Sequence, residues 1–528
     1  MGIENKKYSF IATPSLHAFA QIVIGILLAK FWNVTLLNVT TLIALCVGVL
    51  SHAIGNVTWR KIISAWGCIG AMLLFTLWRM EKPAICSKTQ IWKLSYDVEI
   101  VKIDRKPSRG KVYGYGTIKK VLGEQYKTLE GHRIYFYLNG YKDYIPSQIL
   151  RIRSSIRILK PHLSETFFAY LVQKNIFLYA YCGEILKITK DATAIHKFFA
   201  HINDYFHRRI GVYIQKHGDH PCDGILYGLL LSEKNELSKK QKDDFHNTGT
   251  AHLLAVSGLH IGMIGFALDF LLHCLFLPKN WRRLPILGII FFYVGAIGFP
   301  PSAVRAWLMI SCHWMGNLFC RNARGTTSLL NAAIFSLIGD PMLLFDIGFQ
   351  LSYGVVAMLL LLANPMRDSM LWGLKSLGFR KVLRRKNRKT KKAYMLRKGV
   401  ALLAVSMAAT LASTPLTFEY FNQFSLTGIL LNPIVIQIAL PSVVSGFLFL
   451  LIGSLSIEGW PSSALFLSAR SCVAWINGIL SWAETYVPWH IEFLTKPKGL
   501  GLLCFVMGLI FALWLYMLHQ RVHQCKAL

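Results

Sequence analysis

The stretch TGTAHLLAVSGLHIGMIG, beginning at Thr248, is apolar enough to enter a bilayer yet carries polar side chains near its middle. The residues there that could do chemistry or shape a path are His252, Ser257, Gly258, His260 and Gly262. An unpaired polar group in hydrocarbon costs free energy and glycine loosens a helix. The stretch is therefore expected either to line or brace a wet path, or to pack closely between helices with its histidines bonded to neighbouring carbonyls.

A membrane helix is predicted to start at this stretch, because side chains that cap helices precede it. Asn247, Thr248 and Thr250 are candidate N-caps, and Ser257 with Gly258 is expected to break or loosen the helix midway. The positive N-terminal end of such a helix would face the outer mouth of the path and could meet an anion there.

Composition assigns the chain to polytopic membrane proteins rather than soluble enzymes. Of its 528 residues, 54% are hydrophobic and only 16% are charged. Lys and Arg number 58 against 26 Asp and Glu, which gives a formal net charge of +32. This excess favours polyanionic partners, either nucleic acid or anionic lipid headgroups.

Apolar segments long enough to cross a bilayer recur along the chain, about 11 to 12 in all. They are residues 14–32, 35–56, 62–79, 250–277, 284–300, 302–320, 326–344, 347–364, 400–421, 427–453, 464–486 and 499–519. Because Lys and Arg stay on the cytoplasmic side, the basic loops predict a cytoplasmic N-terminus and an uncleaved first anchor. Three spans then leave residues 80–247 outside the membrane.

The outer segment alternates like short strands, in DVEIVKI, KVYGYGTIKKV, HRIYFYL and QILRIRSSIRIL, which predicts a small barrel or sandwich. Strand pleating places aromatic and cationic side chains on one face. These are Lys111, Tyr113, Tyr115, Arg133, Tyr135, Tyr137, Arg151, Arg153 and Arg157. Five-stranded OB barrels hold single strands with this combination. The alternative is that tyrosine is simply a good strand former and arginine a solvated outer face.

The predicted organisation has five parts: three anchoring spans (1–80), an OB-like domain (86–192), an amphipathic juxtamembrane segment (193–247), a membrane channel core (248–455) and C-terminal spans (456–528). The amphipathic segment suits either a helix lying on the membrane surface or one packed on the barrel. Cys86 and Cys182 bracket the barrel, and a disulfide between them is one interpretation.

The run GLLLSEKNELSKKQKDDFHNTGTAHLLAVSGLHIG, from Gly228, resembles the signature of the ComEC competence family. Blocks that follow in the family's order are PPSAVRAWLM, SLLNAAIFSLIGDPMLLFDIGFQLSYGVVAMLLLL and ASTPLTFEYFNQFSLTGILLNPIVIQIALPSVV. The resemblance covers roughly residues 20–455. It implies a multi-pass channel in the bacterial cytoplasmic (inner) membrane that takes up single-stranded transforming DNA during natural competence. An extracytoplasmic DNA receptor and a cytosolic ATP-driven translocase are the implied partners, besides membrane lipids.

Carried over by position, the pore candidates are His252, Ser257, Gly258, His260, Gly262, Arg305, Asp346, Gln350, Ser352, Gln423 and Asn432. Arg305 could meet phosphate, and Gln350 and Asn432 offer exchangeable hydrogen bonds. Asp346 would repel DNA, which favours a structural pair with Arg305.

Longer family members end in a metallo-β-lactamase-like domain with an HxHxDH zinc motif, and this sequence lacks that motif. HGDH at His217 has glutamine at the first ligand place. We therefore expect a channel rather than an enzyme, with no metal and no cofactor. No GxxxxGK[ST] loop is present in the sequence, so a partner is expected to supply the energy for translocation.

Two other function classes fit parts of the sequence. A proton-coupled transporter of a small solute could use a relay of ionisable residues. Its members would be His260, Asp269, His273, Arg305, Asp346 and Glu419. However, such a carrier does not need a basic, aromatic outer barrel. The other class is a module that only tethers DNA at the surface.

Overall fold

The computed structural model describes residues 90–106, 111–139, 144–158, 171, 176–234, 236–254, 256–318, 324–379, 391–421, 423–454, 459–487, 490–492 and 500–525, with Phe19, Ile22, Val23 and Ile26. Almost all of the three N-terminal spans lies outside these residues, as do Cys86 and the side chain of Cys182. The chain divides into two compact units. One comprises Ile24–Gly211 and Gly295–Gly298; the other contains Val212–Val294 and Phe299–Leu528.

The first unit contains a closed five-stranded barrel, as predicted. Its strands are β1 (Gln90–Lys106), β2 (Lys111–Val121), β3 (Arg133–Asn139), β4 (Ile149–Ile158) and β5 (Ile176–Lys190). The order around the barrel is β1-β2-β3-β5-β4, with β3 and β5 parallel and all other neighbours antiparallel. The four strands read from the sequence are present, and β5 is the additional strand that closes the barrel.

Alternation of side chains builds the barrel core. Ile134 and Phe136 on β3 are fully buried, whereas Tyr135 between them points outward. Gly114 is required where β1 and β2 approach, because a Cβ there would lie 2.3 Å from the carbonyl oxygen of Lys102. The core side chains thus fill the barrel, and the outer face is free to carry aromatic and charged groups.

Twelve α-helices are described, the first of which runs from the barrel unit into the second unit. They are α1 (Ala194–His217), α2 (Asp223–Leu231), α3 (Lys239–Asn247), α4 (Gly258–Cys274), α5 (Lys279–Ala296), α6 (Pro301–Leu318), α7 (Gly325–Gly339), α8 (Val355–Leu374), α9 (Lys391–Phe421), α10 (Thr427–Ser454), α11 (Trp460–Tyr486) and α12 (Leu500–Cys525). One α-helical turn, Ile347–Phe349, and a π-helical turn, Gln350–Gly354, lead into α8. A short hairpin pairs β6 (Gln423–Ser425) with β7 (His490–Glu492).

The protein is a polytopic helical membrane protein, and the predicted spans on described residues coincide with helices except at 250–277. Four segments in this part of the chain are long and apolar enough to cross a membrane: Ile347–Leu377, Lys392–Tyr420, Thr427–Ser454 and Trp460–Tyr486. Helices α4 and α7 are apolar but shorter. The predicted span 250–277 is not one helix, because α4 begins only at Gly258.

Candidate functional site

The outer face of β2 and β3 carries paired tyrosines. Tyr113 lies opposite Tyr137, with ring centroids 4.8 Å apart, and Tyr115 lies opposite Tyr135. Tyr135 stacks in turn on Tyr179 of β5, with centroids 5.8 Å apart and planes 9° apart. We call these five residues the tyrosine face. Flat rings in this arrangement are the surface on which bases stack in single-strand binding proteins.

Part of the tyrosine face belongs to a small core of its own. Leu171 and Ile176 are fully buried and pack against Tyr115, Tyr135 and Tyr179. These three rings therefore have a packing role on the outside of the barrel, which is the alternative to a role in binding. Tyr113 and Tyr137 lie outside this core, nearer the loop between β1 and β2.

The candidate arginines divide between two sides of the barrel. Arg151 donates from Nε to Asp97 Oδ1 at 2.8 Å and from Nη2 to Oδ2 at 3.0 Å. This hydrogen bonding holds the pKa of Asp97 below its usual value. Arg153 lies opposite Glu184, whereas Arg157 lies opposite Tyr179. Arg151 is thus held in an ion pair, while Arg157 extends the tyrosine face. Arg133 lies opposite Thr117 on β2. The side chain of Lys111 is outside the described residues.

In the second unit, the stretch after α3 does not start an α-helix where the sequence predicted: a short 3-10 turn, Ala251–Leu254, comes before α4. Thr248 donates to the carbonyl of Asp244 at 2.7 Å, and Thr250 donates to that of Phe245 at 3.3 Å. Both hydroxyls therefore complete the end of α3 rather than capping a new helix. The prediction that Asn247, Thr248 or Thr250 caps the membrane helix is wrong. The two threonine hydroxyls bond the last carbonyls of α3, and Asn247 Nδ2 donates to Glu484 Oε1 at 2.9 Å.

The predicted break at Ser257 and Gly258 is confirmed, since Ser257 is the N-cap of α4. His260 closes a reciprocal pair: its Nδ1 accepts from the Ser257 amide at 3.1 Å, and its own amide donates to Ser257 Oγ at 3.5 Å. His260 is fully buried. It therefore braces the start of α4. By contrast, His252 is exposed, with Ala251 partly buried and Leu253 buried beside it.

An exposed glycine stripe follows on α4. A Cβ on Gly262 would meet no atom within 4 Å, and one on Gly258 would meet only Ala306, at 3.5 Å. Gly262 also lines a cavity of about 420 Å³ between α4, α6, α7 and α8. Its polar lining includes Asp269, which pairs with Arg282 at 3.5 Å, and His313, which lies 3.3 Å from the hydroxyl of Ser328. His313 was not among the site residues predicted from the sequence.

Irregular backbone meets beside the middle of α9. Ser425 Oγ donates to the Asn247 carbonyl at 2.8 Å, and Gly249, with φ +72°, approaches Ser425 so closely that a Cβ would lie 3.2 Å from its Cβ. Thr427 Oγ1 donates to the Val487 carbonyl at 3.0 Å. We call residues 247–249, 425–428 and 484–487 the polar junction.

Ser406 ties the polar junction to the midpoint of the α9 span. Pro433 in α10 has no N–H, so the Ile429 carbonyl loses its helical donor. Ser406 Oγ supplies one at 2.9 Å. Asn432 Oδ1 is buried there with no hydrogen-bond partner among the described residues. Gln423 lies in β6 opposite Glu492, and its side chain is outside the described part of the chain.

Arg305 lies in the second turn of α6, close to the break before α4. Ser302 Oγ of the same helix donates to the Val256 carbonyl at 2.7 Å. Asp346 accepts from the Phe349 amide at 3.0 Å and so caps the helical turn that precedes α8. Arg305 and Asp346 interact electrostatically, but no ion pair of 4.0 Å or less joins them. The predicted structural pair is thus an open one, because Asp346 is oriented towards the helix start.

Gln350 is held by two neighbours. Its Nε2 donates to the Leu344 carbonyl at 3.0 Å, and its Oε1 accepts from Tyr420 Oη at 2.7 Å. Ser352 lies partly exposed in the π-helical turn. Gln350 therefore fixes the turn before α8 to the end of α9, and its hydrogen bonds are already made.

A buried ion pair that was not predicted from the sequence joins α2 and α11. Arg470 donates from Nε and Nη2 to the two carboxylate oxygens of Asp223, at 2.8 and 2.7 Å, and also to the carbonyls of His217 and Gly218. Both side chains are only 10% exposed. The available signal was the one arginine in the mostly apolar predicted span 464–486.

Three of the ionisable residues suggested for a proton relay have other contacts in the described part of the chain. Asp269 pairs with Arg282, His260 caps α4, and Glu419 Oε2 accepts from the Gly501 amide at 3.0 Å. No three or more His, Cys, Asp or Glu residues gather into a metal-binding group among the residues searched.

Comparison with known proteins identifies the family of this chain. The sequence model described as Competence protein matches residues 229–519, which is more than half of the chain. The chain belongs to the competence protein family. The family match includes the polar junction, the exposed glycine stripe, Arg305 and Arg470.

Three relatives illustrate the family. The chain is 27% identical to ComE operon protein 3 of Bacillus subtilis over 268 residues, which are 50% of this chain and 30% of that protein. It is 26% identical to the uncharacterized protein YcaI of Escherichia coli over 51% of this chain and 34% of that protein. It is 29% identical to Recombination protein 2 of Haemophilus influenzae over 40% of this chain and 26% of that protein. The chain thus spans about a third of these relatives' length or less, and no solved structure matches it.

Proposed function

We propose that this competence family member is a channel in the bacterial cytoplasmic membrane that passes single-stranded DNA into the cytoplasm during natural competence. Its relatives include proteins named for competence and for recombination. The chain's net charge of +32 suits a polyanionic cargo. The barrel lies on the outer side in this proposal, and an extracytoplasmic receptor and a cytosolic ATP-driven translocase assist it.

The polar junction is the observation that carries the proposal. Ser406 Oγ lies 3.4 Å from its Gly428 carbonyl, and Ser406 stands midway along the membrane-competent segment Lys392–Tyr420. Irregular backbone at bilayer depth is stable only when it is enclosed by protein or lines a water-filled cavity. Transporters place substrate sites at such broken helices near the midplane. The strand would pass this junction and the exposed Gly258 and Gly262 of α4.

The tyrosine face supplies the collecting surface in this scheme. Tyr113 and Tyr137 offer rings for bases, and Arg133 and Arg157 are cations near the same face. Such a surface binds a strand through stacking and phosphate contacts without reading its sequence. A tether alone would also use it, so internalisation has to be measured separately from binding.

The deciding experiment deletes the gene in its host and supplies labelled, marked DNA. Transformation should be lost and labelled strand should stay outside, and the full chain should restore both. If the deletion strain transforms normally, the proposal is wrong. If labelled DNA still enters while surface binding falls, the chain is a tether.

A matched pair of glycines tests the path itself. A Cβ added to Gly262 or to Gly288 would meet no atom within 4 Å, but only Gly262 lines the cavity. Gly262→Leu should abolish internalisation while surface DNA binding persists, and Gly288→Leu should leave uptake intact. Normal uptake by the Gly262 variant would move the path elsewhere.

A further inference from the structure

Arg305 lacks the direct partner that a buried cation usually has. It is only 7% exposed, and its Nε is buried with no hydrogen-bond partner in the described part of the chain. Within the same residues no carboxylate forms an ion pair with it at 4.0 Å or less. A buried charge in a membrane protein is costly without a partner, so such a residue indicates a ligand.

Gly348 lies directly beside Arg305 and Asp346. A Cβ on Gly348 would lie 3.3 Å from Arg305 Nη2 and 3.0 Å from Asp346 Oδ1. Glycine here thus lets the cation and the carboxylate lie close to the backbone without crowding. Gly348 and Asp346 are both partly exposed, so a group from outside can reach this position.

The start of the helical segment Ile347–Leu377 adds positive character. The first amides of a long helix carry partial positive charge and bind anions. Asp346 accepts the Phe349 amide in its role as cap. A guanidinium fork beside such a helix start has the geometry that phosphate oxygens prefer.

We propose that Arg305 is a transient phosphate-binding residue, which takes a phosphodiester oxygen beside Gly348 while Asp346 limits the residence time. This inference rests on the proposed function, because the strand is the intended source of the phosphodiester. Conduction needs a site that binds well enough to admit a group and weakly enough to release it. Repulsion by the Asp346 carboxylate provides the release.

Thermal unfolding of the full chain in zwitterionic nanodiscs tests the site, with inorganic phosphate against chloride at equal ionic strength. Phosphate should stabilise the wild type, and Arg305→Gln should weaken phosphate binding about tenfold or more through loss of charge-assisted hydrogen bonds. Asp346→Asn should bind phosphate more tightly than the wild type. Gly348→Ala should weaken phosphate binding while Arg305 is retained, which keeps the test valid if Arg305→Gln does not fold.

Arg282→Gln is the matched control, since Arg282 is an equally buried arginine that already pairs with Asp269. It should keep the phosphate response. The proposal is overturned if the wild type shows no response, if Arg305→Gln and Gly348→Ala keep it, or if Arg282→Gln loses it to the same extent.

Two further arms identify the source of the phosphodiester. A short single-stranded oligodeoxynucleotide should reproduce the Arg305-dependent stabilisation in zwitterionic nanodiscs, and its methylphosphonate analogue should not. If only nanodiscs with phosphatidylglycerol show the effect, the ligand is a lipid headgroup and the strand assignment fails. In cells, Arg305→Gln should lose uptake but keep surface binding; normal uptake by this variant would overturn the inference alone, whereas normal uptake after gene deletion would overturn the proposed function.

Discussion

Arg470 and Arg305 are both buried arginines on apolar helices, but they differ in what meets the guanidinium. Arg470 donates to both carboxylate oxygens of Asp223, at 2.8 and 2.7 Å, and to two backbone carbonyls. Arg305 has an aspartate nearby but no ion pair of 4.0 Å or less among the described residues. Similar residue types thus form a completed pair in one region and an open pair in the other.

The difference separates a structural contact from a site with unused capacity. At Arg470 the hydrogen bonds join α11 to Asp223 and to the turn between α1 and α2. At Arg305 the desolvation cost is present without the compensating bonds. Stability should therefore depend strongly on the first arginine and little on the second.

Arg470→Leu is expected to have the largest effect. Removing it leaves the Asp223 carboxylate buried without its cation, which costs about 3–5 kcal/mol in the free energy of unfolding. Arg305→Leu should not lower that free energy, because no close pair is broken and the desolvation cost of the guanidinium is removed. Denaturant titration of the full chain in detergent, followed by tryptophan fluorescence, measures both.

The double variant Asp223→Leu with Arg470→Leu sharpens this test. Apolar replacement of a complete buried pair is often neutral, so it should recover most of the loss caused by Arg470→Leu alone. Equal losses for Arg470→Leu and Arg305→Leu would remove the distinction between the two regions.

The barrel offers a similar comparison, between the ion-paired Arg151 and the rings of Tyr113 and Tyr137, with a smaller expected effect. Replacing Tyr113 and Tyr137 with Ala should weaken binding of a single-stranded oligonucleotide by about 1–3 kcal/mol for each stacked base lost. Arg151→Ala should leave affinity nearly unchanged, since Asp97 already holds this guanidinium. Fluorescence anisotropy with the full chain in detergent measures the affinities.

Tyr135→Ala separates stacking from packing on the same surface. Tyr135 packs against Leu171 and Ile176, so its loss should lower stability as well as binding. If Arg151→Ala weakens binding as much as the tyrosine variants do, the ion pair opens to admit phosphate and the assignment of the two sides is wrong.

Local periodicity explains which features the sequence could predict. The inward Phe136 and outward Tyr135 follow from the two-residue repeat of a strand, and the apolar helices follow from length and composition. The pairing of β5 with β3 could not be read this way, because it joins residues distant in sequence and runs parallel. Likewise, the partner of Arg470 is 247 positions away.

Helix capping shows the limit of local reasoning at the candidate site. Thr248, Thr250 and Ser257 are all acceptable caps by residue type. Only the fold decides that the two threonines complete α3 and that Ser257 starts α4 with His260. The sequence likewise places Arg305 and Asp346 in one site. How far apart they lie is decided by the fold, through Gly348 and the cap that Asp346 makes on the Phe349 amide.

The pH dependence of the β1–β4 contact should give the smallest effect. Hydrogen bonding from Arg151 lowers the pKa of Asp97 in the folded protein. A carboxyl whose folded pKa is depressed stabilises the fold above its unfolded pKa, about 3.9, and loses that contribution as pH falls through the folded pKa. Hydrogen exchange of β1 and β4 amides, corrected for intrinsic exchange, should therefore be flat between about pH 7 and 5 and rise below about pH 4.

Asp97→Asn supplies the comparison, since its side chain cannot titrate. The variant should have lower protection than the wild type at neutral pH, and the two should converge as acid protonates Asp97. Convergence at low pH would show that the committed pair on the barrel is stabilised by the carboxylate's charge, as we infer for Arg470 and Asp223. A constant difference at all pH values would mean that the contact depends on hydrogen-bond geometry alone, and the comparison with Arg305 would then have to be drawn in terms of shape rather than charge.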